Sequence, residues 1–144
     1  MALAQAGQAE QALEVARQIE DARRRSEAFC AVVKALAQAG QFEQALEVAR
    51  QIEDARRRSE AYRAVALALA QAGQAKQALE VAQQIEVASE RSGAFCEVVS
   101  ALAQAGQAEQ ALEAARQIED ARRRSSAYRA VALALAQADR KSVV

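Results

Sequence analysis

Histidine, proline and tryptophan are absent from this 144-residue chain, and aromatic residues make up only 3% of it. The lack of histidine removes the commonest general base and metal ligand, which lowers the expectation of an enzyme. The lack of proline removes the strongest helix breaker and favours uninterrupted helices. Two cysteines, Cys30 and Cys96, are too few for a disulfide framework or a complete thiolate metal site. We therefore expect no enzymatic activity, no cofactor and no metal.

The chain also lacks an excess of either charge, with 19 basic and 19 acidic residues. Nucleic-acid-binding proteins usually carry a basic excess that neutralises phosphates, so this balance argues against nucleic acid as the partner. The longest apolar stretches, residues 64–70 and 130–136, fall far below the roughly 20 residues that cross a bilayer. The first five residues have neither the basic start nor the apolar core of a signal peptide. The composition predicts a soluble cytoplasmic protein with no membrane partner.

Repetition is the dominant feature of the sequence. The tripeptide Ala-Gly-Gln recurs at even intervals, with its glycine at Gly7, Gly40, Gly73 and Gly106. A fixed period of about 33 residues indicates a repeat architecture in which each unit packs on the next. We expect one repeat domain over residues 1–144. Its units are 21–53, 54–86 and 87–119, with partial units at 1–20 and 120–144.

Each unit contains two helical patterns. In the first, Tyr62, Val65 and Leu69 lie at the spacing of one apolar stripe on a helix, and residues 45–52 show the same pattern for the second. Gly73 follows the first stripe, where a helix end favours a residue that tolerates positive φ. Asp54 precedes the next helix and can cap its free N–H groups. The expected helices are 8–19, 22–39, 41–52, 55–72, 74–85, 88–105, 107–118 and 121–138.

These hairpins predict an all-α fold, an α-solenoid of stacked antiparallel helix-turn-helix repeats with about four repeats and eight full helices. One unit has the spacing Phe29-x2-Val32-Val33-x2-Leu36-x3-Gly40-x-Phe42-x2-Ala45. This pattern resembles the tetratricopeptide repeat, and the resemblance covers nearly the whole chain. Its period is one residue shorter than the period of that family, and it lacks both the Trp and the terminal Pro. Ankyrin repeats share the period but not the signature, and pentatricopeptide repeats, which read RNA bases, are a weaker relative.

Arginine triplets occur at residues 23–25, 56–58 and 122–124. One interpretation is a stripe that binds phosphates or acidic groups. The interpretation that we favour is local neutralisation, because Asp54 lies three and four residues before Arg57 and Arg58, the spacing of ion pairs on a helix. Cys30 and Cys96 are equivalent residues two repeats apart. Because neighbouring helices are about 8–10 Å apart, the two cysteines are expected to be roughly 20 Å apart. A disulfide needs Cα atoms within about 7 Å, so one between them is excluded.

The units differ most at positions that the tetratricopeptide resemblance places on a ligand-binding groove. The residue after the aromatic alternates between cysteine and arginine, and the residue four further on alternates between polar and leucine. The resemblance implies a groove with a super-repeat of two units, although drift after duplication explains the alternation equally well. The groove residues expected from it are Cys30, Lys34, Gln38, Arg63, Leu67, Gln71, Cys96, Ser100, Gln104, Arg129, Leu133 and Gln137.

One junction departs from the others, because Val87 replaces the capping aspartate and Gly93 follows within the same helix. Glycine at an exposed helical site costs up to about 1 kcal/mol relative to alanine. We expect this helix to fray first or to start late, with Ser89 as its cap.

The two terminal patterns also differ from the interior ones. The first has only the tail of a long helix before it, and the last has no second helix after it. Because solenoids need polar caps, we expect either a homo-oligomer formed through these ends or a segment of a longer array. The function favoured by the sequence is a non-enzymatic scaffold that binds a protein or peptide, or assembles with itself. The alternative is an RNA-binding helical-repeat protein of pentatricopeptide type.

Overall fold

Eight α-helices are present in the computed structural model, which describes the backbone of residues 2–143 and the side chains of residues 7–140. No residue of the described backbone is in a β-strand. This confirms the expected all-α solenoid, and α2 to α7 begin and end within two residues of the predicted positions. The helices are α1 (Ala2–Arg17), α2 (Ala22–Gln38), α3 (Phe42–Arg50), α4 (Ala55–Gln71), α5 (Ala75–Gln83), α6 (Ala88–Gln104), α7 (Ala108–Arg116) and α8 (Ala121–Val143).

A glycine turn joins each long helix to the short helix after it. Gly40, Gly73 and Gly106 have φ near +80° (80, 82 and 80). At the first of these turns the N–H of Gly40 donates to the carbonyl of Ala37, and the N–H of Gln41 donates to the carbonyl of Leu36. These two bonds form a Schellman motif, which satisfies the last carbonyls of α2 and reverses the chain.

An aspartate begins three of the long helices. The Asp54 carboxylate accepts hydrogen bonds from the backbone N–H groups of Arg56 at 2.9 Å and Arg57 at 3.2 Å. Asp21 and Asp120 make the same pair of bonds to α2 and α8. These caps satisfy N–H groups that have no partner within the helix, as the sequence predicts.

The long helices α2, α4, α6 and α8 pack side by side in one layer, and each of the short helices α3, α5 and α7 packs on the long helices before and after it. Among the short helices, only α5 and α7 approach each other closely within the described backbone. The long-helix layer is therefore tight, and the short-helix layer is open. The core between the layers consists of fully buried aliphatic side chains, including Val33, Val65, Val98, Ile52, Ile85 and Ile118.

The expected reversal at Gly7 is wrong. Gly7 lies inside α1, which starts at Ala2 rather than at residue 8 and continues without a turn. A reversal is stabilised when the two helices that it joins bury apolar stripes against each other. Residues 2–6 are too few to do so, and the hydrogen-bonded helix continues instead. The last helix also extends beyond its predicted end at residue 138, because Asp139 occupies the place of the turn glycine.

Three expectations for the third junction are also wrong. The helix α6 starts at Ala88, the position equivalent to Ala55 of α4, so it does not start late. Ser89 is not its cap, because the residue at the capping position is Val87 and no side chain caps the helix. Gly93 is buried rather than exposed, since the side chain of Arg63 lies on it. None of the helices in the described part of the chain is long and apolar enough to cross a membrane.

Candidate protein-binding surface

The long-helix layer carries all of the predicted groove residues, one set on each of α2, α4, α6 and α8. Five of them line a single shallow pocket of about 320 Å³ between α4 and α6. The pocket has leucine, amide and hydroxyl groups at its rim, so it offers both apolar contact and hydrogen bonds to a ligand. The five residues are Leu67, Gln71, Cys96, Ser100 and Gln104, and Glu97 and Ala101 complete the lining.

The other predicted residues lie outside this pocket. On α2, Lys34 and Gln38 are exposed, whereas Cys30 is buried and its thiol approaches Glu60 of α4, with Sγ 3.9 Å from Oε2. On α8, Arg129, Leu133 and Gln137 are exposed. The structure therefore brings together the middle of the predicted groove and leaves its two ends on separate helices.

Arg63 is the only predicted groove residue of α4 that does not line the pocket. Its guanidinium group reaches across to α6, where it pairs with Glu97 and, at 3.1 Å, with Glu90. Burial disfavours the charged form of Arg63, but the hydrogen bonds to Glu97 and Glu90 outweigh this effect and raise its pKa. The charge of Arg63 is thus neutralised within the protein and is not available to an acidic ligand. Glu90 and Glu97 were not predicted from the sequence, because neither differs in type from the many surface glutamates.

Four of the nine arginines in the triplets form ion pairs within the described residues, and they do so with glutamates rather than with the local aspartates that the sequence indicated. The third arginine of each triplet donates to a carbonyl at the end of the preceding short helix, as Arg58 does to Ile52 at 2.8 Å. In the first two triplets this arginine also pairs with the glutamate that follows the next short helix, as Arg58 does with Glu86 at 3.1 Å. Arg57 pairs with Glu27 of α2 at 3.0 Å and with Glu60 at 3.4 Å. The arginines therefore join repeats to one another, while the aspartates cap the helix backbone.

Both cysteines are free thiols, and burial is the main cause of the raised pKa of each. Cys30 is buried and Cys96 is half-buried. These environments favour the neutral thiol over the reactive thiolate. Groups of three or more side chains that could hold a metal ion are not found among the described residues.

Two larger grooves lie between the short helices, where the sequence predicted no site. One, of about 690 Å³, separates α1 from α3, and the other, of about 790 Å³, separates α3 from α5. Their walls are mostly Glu and Gln side chains over an apolar floor formed by residues such as Leu36, Val48 and Leu69. Both grooves exist because the short helices do not pack on one another.

Comparison with known proteins gives one family match, to the PPR repeat, over residues 27–56. This segment contains most of α2, its glycine turn, α3 and the first two residues of α4. No curated protein and no solved structure shows significant similarity to the chain. The match supports a helical-repeat solenoid. The narrower resemblance to the tetratricopeptide repeat is not confirmed by it.

Proposed function

We propose that this chain is a non-catalytic helical-repeat scaffold that binds a peptide or protein along the long-helix layer. The observation that carries the proposal is the α4–α6 pocket, in which exposed Gln71, Ser100 and Gln104 surround Leu67. An extended peptide can be held by amide and hydroxyl groups that bond its backbone while an apolar residue contacts its side chains. The regular spacing of the long helices repeats the glutamine amide at each unit and the leucine at every second unit. Self-assembly is the second form of scaffolding that the sequence favours, and it uses a different surface, described below.

RNA binding is the second candidate, and the PPR match over residues 27–56 favours it. The electrostatics of the long-helix layer oppose it. Arg57 and Arg63 are both held by glutamates, and the exposed basic residues among the predicted groove positions are only Lys34 and Arg129. A surface that binds nucleic acid gains most of its affinity by neutralising phosphates. At Arg57 and Arg63, carboxylates of the protein have already neutralised the charge that phosphates would bind.

The proposal is tested by selecting displayed random peptides on the chain and measuring the affinity of the selected peptides. Ser100→Arg fills the pocket between α4 and α6 and is expected to weaken their binding by about tenfold or more, the loss of one central contact. Gln84→Arg places the same side chain on the short-helix layer and is the matched control, expected to leave binding unchanged.

The same chain is then titrated with 20-nucleotide single-stranded RNA homopolymers at 50 and 200 mM salt. The scaffold proposal expects no binding at either concentration. RNA affinity that falls steeply with salt and is independent of the peptide pocket would replace it with the RNA-binding alternative.

A further inference from the structure

The outer face of α8 is apolar and exposed, although the same sequence is buried in α4. The first 17 residues of α8 repeat α4 except that Ser126 replaces Glu60. In α4, Tyr62 and Leu69 are 8% and 1% exposed, because α5 and α6 pack on them. Their equivalents in α8, Tyr128 and Leu135, are 39% and 49% exposed. No other helix of the described chain covers this face, which has the residues of an internal interface.

The first helix, α1, whose residues 9–17 are equivalent to the short helix α3, shows the opposite situation. Val15 is 65% exposed, whereas its equivalent in α3, Val48, is 2% exposed in the α2–α3 hairpin. Ala12 is likewise exposed and its equivalent Ala45 is buried. Within the described residues, α1 has no long helix on this side. The outer face of α1 is therefore the face that a long helix covers, and the outer face of α8 is the face that a short helix and the following long helix cover.

Two charged side chains at these ends of the chain, one basic and one acidic, form no ion pair within the described residues and are complementary to each other. At three successive junctions a long helix pairs its arginine with the glutamate that follows the next short helix, at 3.3, 3.1 and 3.3 Å. The pairs are Arg25–Glu53, Arg58–Glu86 and Arg91–Glu119. Arg124 of α8 is the next arginine in this series, and it bonds the carbonyls of Ile118 and Glu119 without any carboxylate partner in the described part of the chain. Glu20, just after α1, is equivalent to Glu53, Glu86 and Glu119, and among the described side chains no arginine forms an ion pair with it.

The straightness of both helices makes room for their contact. Residues 2–6 are equivalent to residues 134–138 of α8, four repeats later. Had residues 2–6 folded back at Gly7, as the sequence suggested, they would occupy the position that α8 of a second copy needs when two copies stack end to end. In the structure α1 and α8 both continue along their own axes past the positions of the turn. An α8 and an α1 from two copies can therefore lie antiparallel, as the two helices of each internal hairpin do.

We propose that copies of this chain associate head to tail, with the outer face of α1 in one copy packed on the outer face of α8 in another. Val15 and Ala12 then contact Tyr128 and Leu135, and Glu20 pairs with Arg124 across the junction, which continues the Arg–Glu series. The contact is heterologous, because two different faces meet, so it can repeat from copy to copy. It concerns the self-assembling form of the scaffold proposed above and does not use the α4–α6 pocket.

The test uses the full chain and two substitutions, Val15→Lys and Leu135→Lys, each at an exposed site, so that neither removes a core contact. Molar mass is measured by analytical ultracentrifugation over a range of concentrations. The wild type is expected to grow in mass with concentration, and each variant alone to stay monomeric. An equimolar mixture of the two variants is expected to form a dimer and nothing larger, because each contributes one intact face. Loss of one buried aliphatic contact corresponds to an affinity lowered by about tenfold to a hundredfold.

The controls are Gln11→Lys and Gln137→Lys, which add the same charge to α1 and α8 at residues whose equivalents are exposed in every interior repeat. They are expected to associate as the wild type does. Glu20→Arg is expected to weaken association, and an equimolar mixture with Arg124→Glu to restore it, because both junctions between the two variants pair unlike charges.

Three results overturn the proposal. One is a wild type that stays monomeric at millimolar concentration. Another is a Val15→Lys variant that still dimerises, which shows that α8 pairs with α8. The third is a control that disrupts assembly as much as Leu135→Lys. The Ser100→Arg variant separates the two proposals, since it is expected to lose peptide binding while it keeps its assembly.

Discussion

The guanidinium group of Arg63 lies directly on Gly93, such that a Cβ atom at residue 93 would come within 2.9 Å of Nη1 of Arg63. At the junction before it the sizes are reversed, because the small side chain of Cys30 faces the larger Glu60. At these two junctions a large residue therefore lies against a small one, and the larger residue is on opposite sides of the two junctions. The difference between Cys30 and Arg63 therefore has a packing role at these two junctions.

The Arg63–Gly93 contact predicts that the two residues are coupled in stability. In an Arg63→Ala background, Gly93→Ala is expected to stabilise the chain by up to about 1 kcal/mol, the difference in helix propensity. In the wild-type background the gain is expected to shrink or reverse, because the new Cβ displaces the guanidinium from Glu90 and Glu97. Urea denaturation of the four proteins measures the coupling, expected to reach about 0.5 kcal/mol or more, as is found for residues in contact. Strict additivity would show that Arg63 moves aside without cost.

Two arginines of one triplet are predicted to differ sharply in their contribution to stability. Arg58 bonds the carbonyl of Ile52 at 2.8 Å and pairs with Glu86. Its replacement by alanine is expected to cost about 1.5–3 kcal/mol, the usual range for a hydrogen bond to a charged group. Arg56 is exposed and its side chain has no ion pair in the described structure, so Arg56→Ala is expected to change stability by about 0.5 kcal/mol or less. Equal effects would contradict the inter-repeat role of Arg58.

Most of the fold could be predicted from local signals. Gly40 needs its positive φ and Asp54 caps its helix because of their own chemistry, and both positions were predicted. Gly7 has the same neighbours in sequence as Gly40 but lies in a continuous helix. Its conformation depends on whether two long stripes can pack, which is a tertiary property.

Long-range partners were the part that the sequence could not show. Arg58 has an aspartate four residues before it and a glutamate beyond the next short helix, and only the spacing of the stacked repeats decides that it pairs with Glu86. The burial of Gly93 likewise depends on Arg63 of the neighbouring helix. The alternation at the groove positions was visible in the sequence, yet its physical reason was not.

The first turn of α6 is predicted to be the least protected among the interior long helices. Val87 offers no side-chain acceptor, whereas Asp54 accepts from two N–H groups of α4. Hydrogen exchange is expected to be faster at Ser89 and Glu90 than at the equivalent residues of α4. Val87→Asp is expected to slow this exchange and to stabilise the chain by about 1 kcal/mol, and Asp54→Ala to have the opposite effect on α4. If exchange in the two helices is equally slow before substitution, the missing cap has no consequence.

The cap of α8 predicts a specific loss of stability in acid. Hydrogen bonds from the backbone N–H groups of Arg123 and Arg122 lower the pKa of Asp120 below its usual value. Because the folded pKa lies below the unfolded one, the carboxylate stabilises the fold above the unfolded value of about 3.9, and this contribution is lost as the pH falls through the folded pKa. Asn caps a helix about as well but does not titrate in this range. The thermal midpoint of Asp120→Asn is therefore expected to fall less than that of the wild type between pH 5 and pH 2.5, and Glu14→Gln, at an exposed site of α1, is expected to follow the wild type. Parallel curves for all three proteins would show that the Asp120 cap does not contribute to the acid sensitivity of the chain.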